Sequence, residues 1–487
     1  MTADNARPRN ALRLTCLVLA MSLALETGQA AAAATIVIQN MNAAGEGFND
    51  PTPAAPVGGN AGTTLGQQRL IALQAAANIL GAALTSTQTI VIRASFEPLT
   101  CTATSAVFGS AGAFNIWRDF AGAQFPNTWY PQALANKLSG TNLSAGDPVN
   151  GQDIRARFNS RLGLFPDCLP GLPFYLGLDN NHGPLPDLVT FLLHELSHGL
   201  GFQTFTSAST GVQFDGRPSI WDYFIFDNTT NKLWVNMTDA ERAVSARNTR
   251  KLVWTGANVT NALPGVLSLG TPRLNISGPA AGPAAGDYLV GVATFGAPLG
   301  AVPVAGQLMP VVDQVNGTGL ACNPLSALNA LAVKNNIALV DRGICTFATK
   351  AKNVQNAGAI GMIVVNDFAG SPPGGLGGTD PNVIIPAVEV SQADGATLKT
   401  ALARRSRTAS GVIANLGVNG NQFVGADPIG RALLYTPDPV QAGFSVSHFD
   451  TIAFPNLLME PNINGDLLHS LVPPADLTFP LLQDIGW

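Results

Sequence analysis

Residues 187–202 read DLVTFLLHELSHGLGF. Apolar side chains fill most of this stretch, Pro186 stands before it and Gly201 lies near its end. Proline in a first turn and glycine just past a last turn are typical start and stop signals of a helix. The sequence therefore predicts a helix from Leu185 to Leu200 that is covered on most sides by the rest of its domain.

The predicted helix carries the pattern H-E-x-x-H at His194, Glu195 and His198. Histidines four residues apart lie on one helical face and can bind the same metal ion. Catalytic zinc takes three protein ligands and leaves one position for a water molecule, whose pKa it lowers to about 7. Glu195, one residue further along, can take a proton from that water as general base. The pattern predicts hydrolysis with one catalytic zinc ion.

A third metal ligand is required, and the residues alone leave its identity open. In the longer form of the motif a histidine follows three residues after a glycine, but Thr204 occupies that position and is a poor zinc ligand. A glutamate would give a thermolysin-like site, and an aspartate is the other acidic choice. The candidates are the remaining histidines and three acidic residues, namely His182, His448, His469, Glu241 on a predicted helix 239–247, Asp215 and Asp222.

The run from His194 to Phe202 resembles the leishmanolysin branch of the metzincin zinc peptidases. In that branch an insertion delays the third histidine, and a turn with an invariant methionine follows it. The resemblance implies that His448 is the third ligand and that Met459 forms an apolar floor beneath the metal. It also implies a zinc endopeptidase that acts on proteins or peptides.

The long insertion carries a second resemblance. The runs 337–347 and 363–367, with a predicted helix at 347–357 between them, are similar to the protease-associated (PA) domain. This resemblance implies a β-rich module that flanks or covers an active site, binds peptide or protein, and holds no catalytic residue. Asp341 and Arg342 within it are expected to form a salt bridge in a turn.

The chain of 487 residues is too long for one hydrophobic core, which favours two or three domains. We expect an α+β fold, a metzincin-like peptidase domain interrupted by a β-rich PA domain. Near the N-terminus, apolar and β-branched runs predict strands at 36–38, 89–94 and 153–158 and a helix at 66–84. The expected segments are a signal peptide at 1–34, catalytic residues 35–274, a PA domain at 275–416 and catalytic residues 417–487.

Three features predict a secreted protein. Three arginines, an apolar stretch at 14–25 and an alanine run at 30–34 are typical of a secretory signal peptide. No later stretch predicts a membrane anchor, and a net charge of −5 argues against nucleic acid as a partner. Four cysteines then remain, and proximity favours Cys101 with Cys168 and Cys322 with Cys345.

The sequence gives weaker grounds for two other classes of function. In a non-catalytic extracellular binding protein the PA module would do the work and the metal site would be vestigial, although an intact Glu195 disfavours this. Glycoside hydrolysis by paired carboxylates has no support beyond scattered acidic residues. A structural Ca²⁺ ion is compatible with a secreted peptidase but cannot be located from the sequence.

Overall fold

The computed structural model describes residues 33–147 and 151–487, which form two regions with separate cores. The larger core takes its buried residues from 34–267 and 426–487. Two smaller clusters take theirs from 274–416. One region is thus built from both ends of the chain and the other is inserted between them. The predicted signal peptide, 1–34, lies almost wholly outside the described residues.

The strands are short except at the ends of the inserted region. In chain order they are β1 Ile36–Asn40, β2 Ile90–Glu97, β3 Gly109–Ala113, β4 Ile116–Trp117, β5 Tyr130–Pro131, β6 Ile154–Asn159, β7 Ile225–Asp227, β8 Lys232–Leu233, β9 Leu252–Trp254, β10 Leu269–Ser277, β11 Gly286–Tyr288, β12 Gly291–Val292, β13 Val304–Pro310, β14 Ile337–Asp341, β15 Gly361–Val365, β16 Ala387–Val390 and β17 Ile413–Phe423. The α-helices are α1 Leu65–Ala83, α2 Gln132–Ser139, α3 Leu188–Leu200, α4 Asp239–Ser245, α5 Ala257–Ala262, α6 Ala327–Val333, α7 Phe347–Asn356, α8 Gln392–Ala401 and α9 Thr478–Ile485.

A four-stranded sheet in the order β1-β2-β6-β3 covers the histidine-bearing helix α3. The first three strands are parallel and β3 runs antiparallel at the edge. Alternate residues of β2 and β6 are buried, as the period of a half-covered strand requires. The sequence predicted β1, β2 and β6 but not β3, because GSAGA has no residue that favours a strand.

Helix α3 begins three residues later than predicted, at Leu188. The reason is that Asp187 caps it, with its carboxylate accepting a hydrogen bond from the Thr190 N–H at 2.7 Å. The helix ends at Gly201, whose φ of 119° suits glycine. Every residue from Leu188 to Leu200 is buried, so the polar groups of the H-E-x-x-H motif lie in the interior.

The inserted region is a single eight-stranded sheet in the order β11-β10-β17-β13-β14-β15-β16-β12. Strands β13 to β16 are parallel. Parallel neighbours need crossover connections, and α6 and α7 supply two of them. The region has three α-helices where the sequence predicted one, so it is mixed α/β rather than mainly β. Its sheet extends from Leu269 to Phe423, a few residues beyond each end of the expected 275–416.

The disulfides pair as proximity predicted, with Cys101–Cys168 in the first region and Cys322–Cys345 in the inserted one. Within 33–147 and 151–487 no helix combines the length and the apolar character that crossing a bilayer requires.

The expected salt bridge between Asp341 and Arg342 is wrong. Asp341 ends β14, pairs with Lys399 and accepts the Gly319 N–H at 2.9 Å. Arg342 instead pairs with Glu389 at 3.2 Å and with Asp367 at 3.3 Å. Neighbouring residues at a strand end point in opposite directions, which separates the two side chains.

Candidate metal centre

Three histidines meet at the C-terminal half of α3. His194 and His198 are one turn apart on the helix, and His448 comes from a loop about 250 residues later. One nitrogen of each ring lies within 4.8 Å of the others, and the Nε2 atoms of His194 and His448 are 3.3 Å apart. Packing of Phe449 against Phe202, with ring centroids 5.2 Å apart, holds the loop on the helix.

Each of the three rings is oriented by a backbone carbonyl that accepts a hydrogen bond from its Nδ1 atom. A carbonyl can only accept, so Nδ1 carries the proton and Nε2 keeps a free lone pair. This is the tautomer that binds a metal through Nε2. The carbonyls belong to Leu458 for His194 at 2.7 Å, to Phe202 for His198 at 2.7 Å and to Phe444 for His448 at 2.9 Å.

The donor set fits zinc. Two lone pairs facing each other at 3.3 Å repel unless a cation lies between them. A tetrahedral zinc ion with Zn–N bonds of about 2.0–2.1 Å separates its nitrogen ligands by about 3.3–3.4 Å. Burial lowers the pKa of His194 to about 3 and of His198 to about 4, and it holds the pKa of His448 well below its usual value. All three rings are therefore neutral at pH 7, as metal binding requires.

Glu195 lies between the two helical histidines and the edge strand β3. Its Oε2 atom accepts the Ala111 N–H at 2.8 Å, and burial raises its pKa to about 7. The hydrogen bond fixes the carboxylate beside the sheet edge. Ala111 was missed at the sequence level because a small residue in a small-residue run carries no signal of a polar role.

Met459 is fully buried in a turn held by two buried carboxyl groups. Asp476 Oδ2 accepts the Leu458 N–H at 2.6 Å, and Glu460 Oε1 accepts the Leu457 N–H at 2.8 Å. Because the Leu458 carbonyl orients His194, Asp476 influences the candidate metal site indirectly, through Leu458. Nothing in the sequence around Asp476 indicates this, because the contact joins positions 18 apart across an irregular loop.

The acidic alternatives for the third ligand lie elsewhere. Glu241 caps α4 and pairs with Lys232, which together lower its pKa to about 2. Asp222 is fully buried and accepts the hydroxyls of two threonines, while Asp215 pairs with Arg217 at 2.7 Å. Each carboxylate already has its partners.

The two other histidines are also engaged. His469 Nε2 lies 2.8 Å from Asp187, and His182 Nδ1 lies 2.7 Å from the Leu185 carbonyl. In the described part of the chain, the His194–His198–His448 group is the one set of three or more potential ligands whose donor atoms converge. Among the described residues, no cluster of three acidic side chains marks a place for the Ca²⁺ ion that a secreted peptidase could also bind.

A cavity of about 990 Å³ lies between the inserted region and the C-terminal segment. Leu269, Val292 and Phe454 line it and are partly exposed. At its rim Ser371 and Asp438 form an antiparallel bridge, with N–H to carbonyl distances of 2.9 and 2.8 Å. The two regions are therefore joined by backbone hydrogen bonds.

Comparison with known families places a PA domain at residues 304–398. The chain is 44% identical over 70 residues to Leucine aminopeptidase 2 of Arthroderma otae, a match that covers 14% of each protein. It is 56% identical over 50 residues to human ER degradation-enhancing alpha-mannosidase-like protein 3, which covers 10% of this chain and 5% of that one. The chain therefore spans only a small part of the length of these relatives.

Two solved structures give matches that cover less than half of either chain. A zinc aminopeptidase from Bacillus subtilis, BSAP, is 21% identical with a TM-score of 0.22 and covers 34% of this chain and 35% of that one. An aminopeptidase from Aneurinibacillus sp. strain AM-1 is 18% identical with a TM-score of 0.24 and covers 44% and 45%. TM-scores of this size do not establish a common fold.

Proposed function

We propose that this protein is a secreted zinc-dependent peptidase with His194, His198 and His448 as metal ligands and Glu195 as general base. One observation carries the proposal: three buried, neutral imidazoles bring one nitrogen each within 4.8 Å of the others, and the Nε2 atoms of His194 and His448 lie 3.3 Å apart, the separation of two ligands on tetrahedral zinc. A buried cluster of lone pairs with no donor among them is costly unless a cation binds there.

Zinc held by these rings supplies Lewis-acid activation of a water molecule and of the substrate carbonyl. Glu195 takes a proton from the attacking water and returns it to the leaving amine. The Ala111 N–H holds one carboxylate oxygen and leaves the other to receive the proton. The apolar residues around α3 exclude bulk water and strengthen these interactions.

The finer assignment is a metzincin-type endopeptidase. Met459 in its buried turn and His448 in the delayed position support that class. The free edge of β3 next to Glu195 supports cleavage within a chain, because an extended peptide can pair with it on both sides of the base. We assign 35–274 and 417–487 to the catalytic domain and 275–416 to an inserted PA domain that flanks it.

Two rival functions each have an observation in their favour. Local similarity to leucine aminopeptidases favours removal of N-terminal residues. The cavity beside the PA region favours a binding protein without catalysis. Two substrates distinguish the proposed endopeptidase from an aminopeptidase. One is an internally quenched peptide with an acetylated N-terminus, and the second is leucine p-nitroanilide. Cleavage of the second substrate alone would establish an aminopeptidase.

The decisive experiment compares zinc content and hydrolysis in three proteins. We expect one zinc ion per wild-type chain and loss of both zinc and activity in His448→Ala. Glu241→Ala, the matched control at the rejected ligand, should keep both, since Glu241 binds Lys232 and caps α4. Normal zinc in His448→Ala would refute the ligand set, and zinc without hydrolysis in the wild type would favour the binding protein.

A further inference from the structure

Within the described part of the chain, the edge strand β3 has one side with which no strand pairs. Strand β6 pairs with the other side, and the Ala111 N–H points away from β6 to reach Glu195. Backbone groups of alternate residues in an antiparallel strand point the same way. Those of Gly109 and Ala113 therefore also point to the free side. A peptide added there as a further strand would lie beside the general base.

The solvent face of the sheet places two arginines next to this edge. Arg93 in β2 pairs in register with Arg155 in β6, and Gly112 in β3 is the next residue along the same row. Among the described residues neither arginine has an ion-pair partner; the Arg93 guanidinium lies 5.8 Å from the Phe114 ring centroid. Like charges on neighbouring strands repel each other. An anion bound nearby would relieve that repulsion.

The next row differs in that its arginine is already partnered. Arg157 pairs with Glu97 at 3.7 Å. Arg155 and Arg157 line a depression of about 160 Å³ together with Ser110–Ala113, and no carboxylate lines it. Glu46 and Glu97 line the neighbouring depression, which no β3 residue lines. Arg155 lines both depressions, and on the β3 side, where a substrate strand would lie, the described residues place no carboxylate beside it.

We infer that this protein selects substrates with a glutamate or aspartate at the residue that pairs with Gly112, through Arg155. A strand added to β3 lies two strand spacings, about 9.6 Å, from β6. An extended arginine and an acidic side chain together span that gap. Gly112 leaves the path open, since a Cβ there would meet nothing nearer than the Gln203 amide at 3.9 Å. The inference rests on the proposed peptidase function and names its substrate class.

The test uses pairs of quenched peptides that differ by Glu or Gln at one position, scanned over four positions on each side of the cleaved bond. For the wild type we expect the Glu peptide to be cleaved about two- to fivefold faster at one position, the range of an exposed ion pair. The difference should lie in KM, because Arg155 does not touch the reacting atoms. It should shrink at high ionic strength.

Arg155→Ala should abolish the preference and Arg155→Glu should invert it. Arg247→Ala is the matched control, since it removes an equal charge at an exposed position outside this sheet. An unchanged ratio in Arg155→Ala, or an equal loss in Arg247→Ala, would overturn the inference. A wild type that cleaves neither peptide counts against the proposed function instead. In that case the dissociation constants of the Glu and Gln peptides, measured by fluorescence anisotropy, test the acidic preference independently of cleavage.

Discussion

The two regions of this molecule each bury a polar cluster, but the clusters are of opposite kinds. In the PA region Lys350 is fully buried and donates to the carbonyls of Leu320 and Gly343 at 2.7 and 2.9 Å. At the histidine cluster the Nε2 atoms of His194 and His448 face each other with no donor between them. The first cluster satisfies its own hydrogen bonds and stabilises the fold. The second leaves converging lone pairs without a donor, which a bound cation would compensate.

The difference shows how a structural polar motif can be told from a functional one. The PA motif also contains charged residues, but these have partners within the region. Arg342 forms ion pairs with two carboxylates, and Asp341 pairs with a lysine and accepts a hydrogen bond from a backbone amide. Buried polar groups that satisfy one another need no ligand. Converging acceptors without a donor raise the free energy of the folded protein unless a cation binds between them. Such a set therefore indicates a cation site.

The largest expected effect separates the two clusters by activity. Glu195→Gln keeps the size and the Ala111 hydrogen bond but cannot accept a proton, so kcat should fall by about 10²–10⁴-fold. Zinc content should be unchanged, because Glu195 is not a ligand. Lys399→Ala, which breaks a charged pair in the PA region, should leave kcat within twofold. Equal losses in both variants would show that the Lys399–Asp341 pair of the PA region is not merely structural.

The disulfides test whether the two regions unfold separately. Removing Cys322–Cys345 opens a link across 23 residues and should cost about 3 kcal/mol; removing Cys101–Cys168, across 67 residues, should cost about 4 kcal/mol. All six tryptophans lie outside 275–416. Tryptophan fluorescence during urea unfolding should therefore shift strongly in Cys101→Ala/Cys168→Ala and little in Cys322→Ala/Cys345→Ala. Equal shifts would mean that the regions unfold as one unit.

The smallest of these effects concerns the turn beneath the metal. Asp476→Asn removes one of two acceptors and should loosen the Leu458 carbonyl that orients His194, with a loss of zinc affinity of about tenfold. Burial raises the pKa of Glu460 to about 9 but that of Asp476 only to about 6. At pH 7 Glu460 is thus neutral, and Glu460→Gln is a conservative control.

Zinc affinity is measured by competition with a chromogenic chelator, and circular dichroism checks that both variants fold. A tenfold loss confined to Asp476→Asn would identify it as a positioning residue. Equal losses of zinc affinity in the two variants would instead indicate general loosening of the turn. If neither variant lost zinc affinity, the turn would have no influence on the metal site.

The sequence predicted those helices and strands that are determined by residues close together in the chain. Helix α3 follows from an apolar run between Pro186 and Gly201, strand β2 from a β-rich run, and strand β6 from its alternation of polar and apolar residues. Strand β3 could not be predicted, because its pairing with β6 comes from the sheet and not from GSAGA. The helices α6 and α8 were missed although Ser326 and Ser391 cap them, because such short runs show no clear apolar periodicity.

The sequence by itself determined which residues can bind a metal on one helix, since four-residue spacing fixes the face that His194 and His198 share. Only the tertiary structure decided that His448, rather than His182, His469 or an acid, joins them. It alone also brought Ala111 to Glu195 and Asp476 to the turn that orients His194. The physical reason is that such contacts depend on which segments the core packs together, and no local pattern records that choice.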